Sequence, residues 1–163
     1  MVEYPGLLSI YGGGILKLAL ISVAILFMLC ACATFQIDDP SGFAIERQGN
    51  IYRAISPEGV QMRVRTEDAL LIQSAEFWQE ALIHQLLKKG YQPLDHSEQF
   101  KVGELTGWII EWGVPYGEQD YIYLTAFVPY RDKVLIVEAA GEHTLFSLHR
   151  ESLYKSLKSL QIN

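Results

Sequence analysis

One stretch of the sequence, residues 119–128 (QDYIYLTAFV), restricts the possible folds more than any other. Its alternating pattern predicts a β-strand, in which successive side chains point to opposite faces of the sheet. Four aliphatic residues share one face: Ile122, Leu124, Ala126 and Val128. The opposite face carries Tyr121, Tyr123, Thr125 and Phe127. Because neither face is polar, both must be covered, which requires layers of helix above and below the sheet.

Two segments have the signals of helices that could form these layers. The first follows Ser74, a residue type that caps helix N-termini, and ends before Gly90, which suits the left-handed position after a helix. Its predicted buried stripe contains Trp78, Ala81, Leu82 and Leu86, widened by Phe77 and Ile83. The second helix runs from about residue 145 to 160, with a buried stripe of Phe146, Leu153, Leu157 and Leu160 and with His149 at its edge.

The other elements are predicted to be antiparallel strands joined by short turns. Residues 51–55 lead into the turn Ser56-Pro57-Glu58-Gly59. The return strand alternates, with one apolar face and one polar face: Val60, Met62 and Val64 on the first, and Gln61, Arg63 and Arg65 on the second. Further strands are predicted at 108–112, 119–128 and 133–140, with turns at 115–118 and 129–132. The sequence therefore predicts an α+β domain over residues 43–163, in which an antiparallel meander is sandwiched by helices.

The order of these elements resembles the PsbP-like fold. The matching features are a hairpin, a helix that opens with Phe77-Trp78 and ends in Gly90-Tyr91, the pair Gly107-Trp108, the run Val-Glu-Ala-Ala at 137–140, and Ser159-Leu160. The resemblance covers residues 43–161 and is shared with the DcrB-like bacterial lipoproteins. It implies an αβα sandwich that serves in binding or assembly, without a common active site whose residues could be transferred.

An apolar run precedes the domain. From residue 15 to 35 the only charged side chain is Lys17, and both cysteines of the chain, Cys30 and Cys32, lie near the end of the run. An uncleaved transmembrane anchor is one interpretation, because residues 18–35 approach the shortest length that spans a bilayer. A signal peptide is the other, since a basic residue is followed by a short apolar segment and small residues.

Leu29-Cys30-Ala31-Cys32 resembles the bacterial lipobox. The resemblance implies cleavage between Ala31 and Cys32, with a diacylglyceryl group on the Cys32 thiol and further acylation of the new amine. Ala33 at the following position implies transport to the outer membrane if the organism is a diderm. Residues 1–31 would then be the signal peptide, and residues 32–42 the lipidated cysteine and a polar tether. Two or three acyl chains anchor a protein stably to a membrane.

The remaining composition restricts the function without naming it. The net charge of −6 argues against a nucleic-acid surface. No catalytic, nucleotide-binding or metal-binding motif occurs, so neither a catalytic residue nor a cofactor is predicted. The alternative is an envelope hydrolase or metal-dependent enzyme that uses His143 or His149 with a nearby carboxylate. The favoured expectation is a membrane-anchored, non-catalytic accessory domain that binds a protein or another envelope component.

Tyrosines supply the candidate partner surface. Tyr116, Tyr121, Tyr123 and Tyr130 lie on or beside the central strand, and aromatic side chains are common in binding surfaces. Tyr116 and Tyr130 occur in turns, so they are expected to be the most exposed of the four. The competing interpretation is that these rings pack beneath the helices.

Overall fold

The computed structural model describes residues 35–69 and 74–163. The predicted signal peptide, its cleavage site between Ala31 and Cys32, the lipidation site Cys32 and the sorting residue Ala33 lie outside these residues. Of the helices in the described part of the chain, none combines the length and the apolar character that a membrane span requires.

The described residues form nine strands and two helices. In chain order they are β1 (Phe35–Gln36), β2 (Ala44–Gln48), β3 (Ile51–Ile55), β4 (Gln61–Asp68), α1 (Ala75–Lys88), β5 (Gln92–Val102), β6 (Leu105–Tyr116), β7 (Gln119–Tyr130), β8 (Lys133–Glu142), α2 (His143–Lys158) and β9 (Gln161–Ile162).

Seven strands form one antiparallel sheet in the order β2-β3-β4-β8-β7-β6-β5. The hairpins β2–β3–β4 and the meander β5–β6–β7–β8 are joined where β4 pairs with β8, which places Val64 opposite Val137. Helix α1 lies over β5, β6 and β7, whereas α2 packs on β7, β8 and β5 from the other side. The predicted α+β architecture, an antiparallel meander between helices, is confirmed.

The face of the sheet beneath α2 holds the main hydrophobic core. Phe146, Leu153 and Leu157 of α2 are buried against aliphatic residues of the central strands, including Leu124 and Val137. Each fully buried side chain of this size stabilises the fold by about 1.5–3 kcal/mol. The stripe predicted for α2 is therefore confirmed, and its contacts supply most of the core.

Helix α1 has the predicted ends but only part of the predicted buried stripe. The Ser74 hydroxyl accepts a hydrogen bond from the Phe77 N–H at 3.3 Å, and Gly90 follows the helix with φ of +85°. Leu86 is buried, but Phe77 is 48 % exposed. Ala81 is also exposed, so both were wrongly assigned to the buried stripe. The helix faces the sheet through Leu82, Ile83 and Leu86, and this orientation turns Phe77 and Ala81 toward solvent.

Strand β5 was not predicted, because its sequence is mostly polar. It forms one edge of the sheet and pairs only with β6, with an irregularity between Pro93 and Ser97. An edge strand needs few apolar residues, and here Phe100 and Val102 are the buried ones. The pairing of β5 thus depends on β6 rather than on a strong pattern of its own.

The predicted tether of residues 32–42 requires a correction, because its described residues, from Phe35 onward, already pack on the domain. Strand β1 pairs with β9 at the C-terminus, with Phe35 opposite Ile162, and both Phe35 and Ile37 are buried. The Asp38 N–H donates to the Ser159 hydroxyl at 2.8 Å. Residues 35–42 therefore pack on the domain, because their two apolar side chains find core positions that a polar tether would not use.

Candidate functional site: an open sheet face

The sheet face that carries α1 is covered over only part of its width. On β2, β3 and β4, the side chains that point to this face are exposed or half-buried, while Tyr52, Ala54, Met62 and Val64, which point toward α2, are buried. We call this uncovered region the open face. It is formed by Ala44, Glu46, Arg53, Ile55, Gln61, Arg63, Tyr123, Glu138 and Ala140.

Strand pairing arranges the open face in two neighbouring rows that run across the strands. The first row is Ala44, Ile55, Gln61, Ala140 and Tyr123, and the second is Glu46, Arg53, Arg63 and Glu138. Because Ala44 and Ala140 have short side chains, the sheet surface is depressed at this point, and the depression has a volume of about 430 Å³. Ile55 is 46 % exposed, although it belongs to the sheet.

The charged row is not fully neutralised within the chain. Arg53 pairs with Glu46 at 3.1 Å, and Arg65 on the same face pairs with Glu138 at 3.3 Å. Exposed pairs of this kind contribute about 0.2–1 kcal/mol each. Within residues 35–69 and 74–163, no carboxylate lies within ion-pair distance of Arg63. Within that part of the chain, Arg63 therefore has no close ion pair of its own, although Glu138 lies directly opposite it on β8.

Tyr123 forms the wall between the open face and α1. Its hydroxyl donates to the Glu138 carboxylate at 2.7 Å, and its ring meets the Tyr91 ring edge to face at 5.7 Å. Burial, together with the bond to Glu138, raises the pKa of Tyr123 well above its ordinary value. The phenol therefore stays protonated near neutral pH and donates its hydrogen bond to Glu138, which fixes the orientation of the ring.

Three of the four predicted tyrosines lie together, and the fourth does not. Tyr121 precedes Tyr123 on the same face of β7, and its ring contacts that of Tyr116, which is 74 % exposed, at 5.8 Å. Tyr130 is only 7 % exposed, so the expectation that it is exposed is wrong. Although it ends the strand beside a turn, its place in the alternation points it into the α2 core, where its hydroxyl lies 3.4 Å from that of Thr66.

The structure does not bring the two candidate histidines to a shared site. The His149 Nε2 lies 2.9 Å from a Glu58 carboxylate oxygen, and the His149 ring packs edge to face on Phe43. His143 begins α2 and is exposed. The two are six positions apart along the helix, so their directions around its axis differ by about 120°. In the part of the chain that the structure describes, no group of three potential metal ligands is present.

A buried ion pair on the other face was missed by the sequence analysis. Glu111 of β6 is fully buried, and the Arg150 guanidinium of α2 donates to its two carboxylate oxygens, each at 3.1 Å. The neighbouring phenol belongs to Tyr154, whose pKa is raised by burial and by the negative charge of Glu111. This arrangement ties α2 to β6, the strand next to the edge strand β5, and its geometry is that of a structural clamp.

The arginines of the open face were also missed, although a signal for them existed. The alternation of β4 places Gln61, Arg63 and Arg65 on one side of the strand, and that side was recognised as polar. What the alternation does not contain is the lateral position of α1. Only that position decides whether the polar side of β4 lies under a helix or remains open.

Comparison with known proteins identifies the fold. No family model and no curated protein matches the sequence. Among solved structures, the chain is similar to LpqN of Mycobacterium tuberculosis, a protein involved in cell envelope biogenesis, with 12 % identity and a TM-score of 0.65 over 79 % of this chain and 83 % of that one. It is also similar to cyanobacterial PsbP (CyanoP) of Synechocystis, with 8 % identity and a TM-score of 0.55 over 83 % of this chain and 96 % of that one. The domain therefore has the PsbP-like fold, and at these identities the likeness extends to the fold alone.

Proposed function

We propose that this chain is a membrane-anchored, non-catalytic accessory domain of the cell envelope that binds a partner through the open face. The observation that carries the proposal is the uncovered part of the sheet, where Ile55 is exposed beside Arg63, which has no ion pair with any described residue. An apolar residue beside unsatisfied charge is typical of a surface that a partner covers. The likeness to LpqN, a protein involved in cell envelope biogenesis, is consistent with this location.

The residues that line the open face favour binding over catalysis. None of them is a serine, threonine, cysteine or histidine, so the lining contains no Ser–His or Cys–His pair of the kind that activates a nucleophile. Its two carboxylates, Glu46 and Glu138, are each engaged by an arginine. The available chemistry is recognition by charge, by hydrogen bonds from Gln61 and Tyr123, and by apolar contact.

The proposed anchor is Cys32, which becomes the lipidated N-terminal residue after cleavage of the bond between Ala31 and Cys32. In a diderm, Ala33 at the next position would direct the protein to the outer membrane. Since the packed domain begins at Phe35, the chain between the Cα atoms of Cys32 and Phe35 reaches at most about 11 Å. The anchor therefore keeps the domain close to the membrane surface.

The anchor is tested by measuring the intact mass of the native protein from the membrane fraction. We expect a chain that begins at Cys32 and carries added acyl mass. Cys32→Ala should abolish the modification, whereas the matched change Cys30→Ala should leave it in place. A full-length, unmodified chain would contradict the lipidation and favour the uncleaved transmembrane anchor instead.

The binding surface is tested with a photo-crosslinking amino acid at residue 55 of the full chain in its native membrane. The matched control places the same amino acid at residue 148, because Leu148 is an exposed leucine on α2. We expect protein adducts from position 55 that position 148 does not form. Equal labelling from both positions, or no adduct from position 55, would contradict a binding role for the open face.

A further inference from the structure

The structure points to one occupant of the open face, and we propose that it is helix α1 of a second copy of this chain. The inference rests on the proposed function, since it identifies the partner of the same surface. On one side of each sheet, α1 forms a ridge and the open face forms a groove beside it. Two copies placed face to face about a two-fold axis would insert each ridge into the other groove, which is the arrangement of a closed, self-complementary dimer.

The dimensions of the groove suit a helix. The strip formed by β2, β3, β4 and β8 is about 19 Å wide, because neighbouring strands lie about 4.8 Å apart. A helix with its side chains is about 10–12 Å across. Helix α1 already packs on this side of its own sheet, over β5, β6 and β7. The two α1 helices would lie side by side between the two sheets.

The outer side of α1 is apolar enough to enter the groove. Phe77 is 48 % exposed and Leu87 is 46 % exposed, although both are large hydrophobic residues. Ala81, one turn after Phe77, is also exposed. On the receiving side, the small side chains of Ala44 and Ala140 allow a helix to approach closely. Each copy thus carries both an apolar ridge and the groove that would cover it.

One arginine of the open face and the acidic first turns of α1 carry opposite charges. Arg53 and Arg63 lie directly opposite each other on neighbouring strands, an arrangement that is unfavourable for like charges. Arg53 has Glu46 as a partner, but within the described residues Arg63 has no carboxylate at ion-pair distance. The outer side of α1 carries Glu76 and Glu80, and both are exposed. The first turns of a partner's α1 would therefore bring acidic side chains to Arg63, whose directly opposite carboxylate on the open face, Glu138, already pairs with Arg65.

The test combines crosslinking with a charge swap in the full chain in its membrane. From position 55 we expect an adduct of twice the chain mass, in which the crosslinked residue of the other copy maps to 75–88. Arg63→Glu and Glu80→Arg should each lower this adduct by about tenfold, because a close attractive pair becomes repulsive. The double variant R63E/E80R should restore it, while Lys155→Glu on the exposed side of α2 should leave it unchanged.

The outcomes separate this inference from the proposed function. An adduct with a different protein, and none with a second copy, would overturn the dimer and leave the open face as a binding surface. A self-adduct that maps outside 75–88, or that neither charge reversal weakens, would also overturn the docking of α1. The absence of any adduct from position 55 would overturn both proposals.

Discussion

The two faces of the central sheet differ in how completely a helix covers them. Helix α2 buries Phe146, Leu153 and Leu157, and the core beneath it extends to β3 and β4 at the far side of the sheet. Of the residues of α1, only Leu86 is fully buried, and the strip from β8 to β2 on that side stays open. The face beneath α2 therefore supplies most of the stability, and the other face can carry a binding surface.

The asymmetry has a physical cause in what holds each helix. Helix α2 follows β8 directly and is joined to β6 by the Arg150–Glu111 pair. Residues 35–42 also contact it, and the Ser41 N–H donates a hydrogen bond to the Ser152 hydroxyl. Helix α1 relies on a small cluster around Ile110 and Trp112. Because less apolar area is buried under α1, changes on that face should cost less stability than equivalent changes under α2.

The largest expected effect comes from breaking the clamp of the covered face. Glu111→Ala should lower the free energy of unfolding by about 3–5 kcal/mol, because it leaves the Arg150 charge without its partner at a mostly buried site. The measurement is chemical denaturation of the purified full chain in detergent. The double change to methionine at both positions should be close to neutral. A loss below about 1 kcal/mol for Glu111→Ala would show that the pair is not a clamp.

A matched pair of leucines compares the two faces directly. Leu157→Ala under α2 should cost about 2–5 kcal/mol, because it leaves a cavity in a closed core. Leu82→Ala under α1 should cost about 1 kcal/mol, since Leu82 is only half-buried. Both values come from the same denaturation experiment. If the two substitutions were equally costly, the faces would contribute equally to stability and the comparison would fail.

A smaller effect concerns the start of α2 and its dependence on pH. The Glu142 carboxylate accepts the Leu145 N–H at 3.0 Å, and backbone hydrogen bonds from Thr144 and Leu145 hold the pKa of Glu142 below its ordinary value. A lowered pKa in the folded state means that the carboxylate stabilises the fold above its ordinary pKa of 4.5 and that this contribution is lost as the pH falls through the folded-state value.

Hydrogen exchange of the first-turn amides of α2 measures this effect. We expect their protection to fall in acid in the native chain. Glu142→Gln should show weaker protection at neutral pH and a smaller change in acid, because its amide does not titrate. An unchanged pH profile in Glu142→Gln would assign the acid sensitivity to another group.

The smallest expected effect is on the open face itself. Arg63→Ala and Tyr116→Ala should change the free energy of unfolding by no more than about 0.5 kcal/mol, because both side chains are exposed. Thermal unfolding of the two variants beside the native chain checks this. A clear loss of stability in either variant would mean that the open face belongs to the core and would weaken any binding result obtained with it.

Local structure was largely predictable from local residue choices. The turn Ser56–Gly59 forms as expected, with the Gly59 N–H donating to the Ser56 carbonyl and with Gly59 at φ of +90°. The ends of α1 at Ser74 and Gly90 and the stripe of α2 were also predicted correctly. These features depend on interactions within a few residues, so their signals lie close together in the chain.

Features that depend on distant partners were predicted incompletely or not at all. The burial of Phe35 depends on its pairing with β9 at the other end of the chain, and the Glu111–Arg150 pair joins residues of different elements. Strand β5 is recognisable only beside β6. Tyr130 appeared exposed from its turn, yet the full register of β7 places it in the core.

The open face likewise has features that the sequence predicted and features that it did not. The alternating pattern of the sequence was enough to predict that β4 has a polar side with Arg63 and that β7 carries tyrosines, because successive side chains of a strand point to opposite faces. That this side of β4 remains open could be seen only in the folded chain, because packing on Ile110 and Trp112, which are distant in sequence, sets the lateral position of α1. Periodicity specifies which way a side chain points, whereas what covers it depends on contacts between segments that are far apart in the chain.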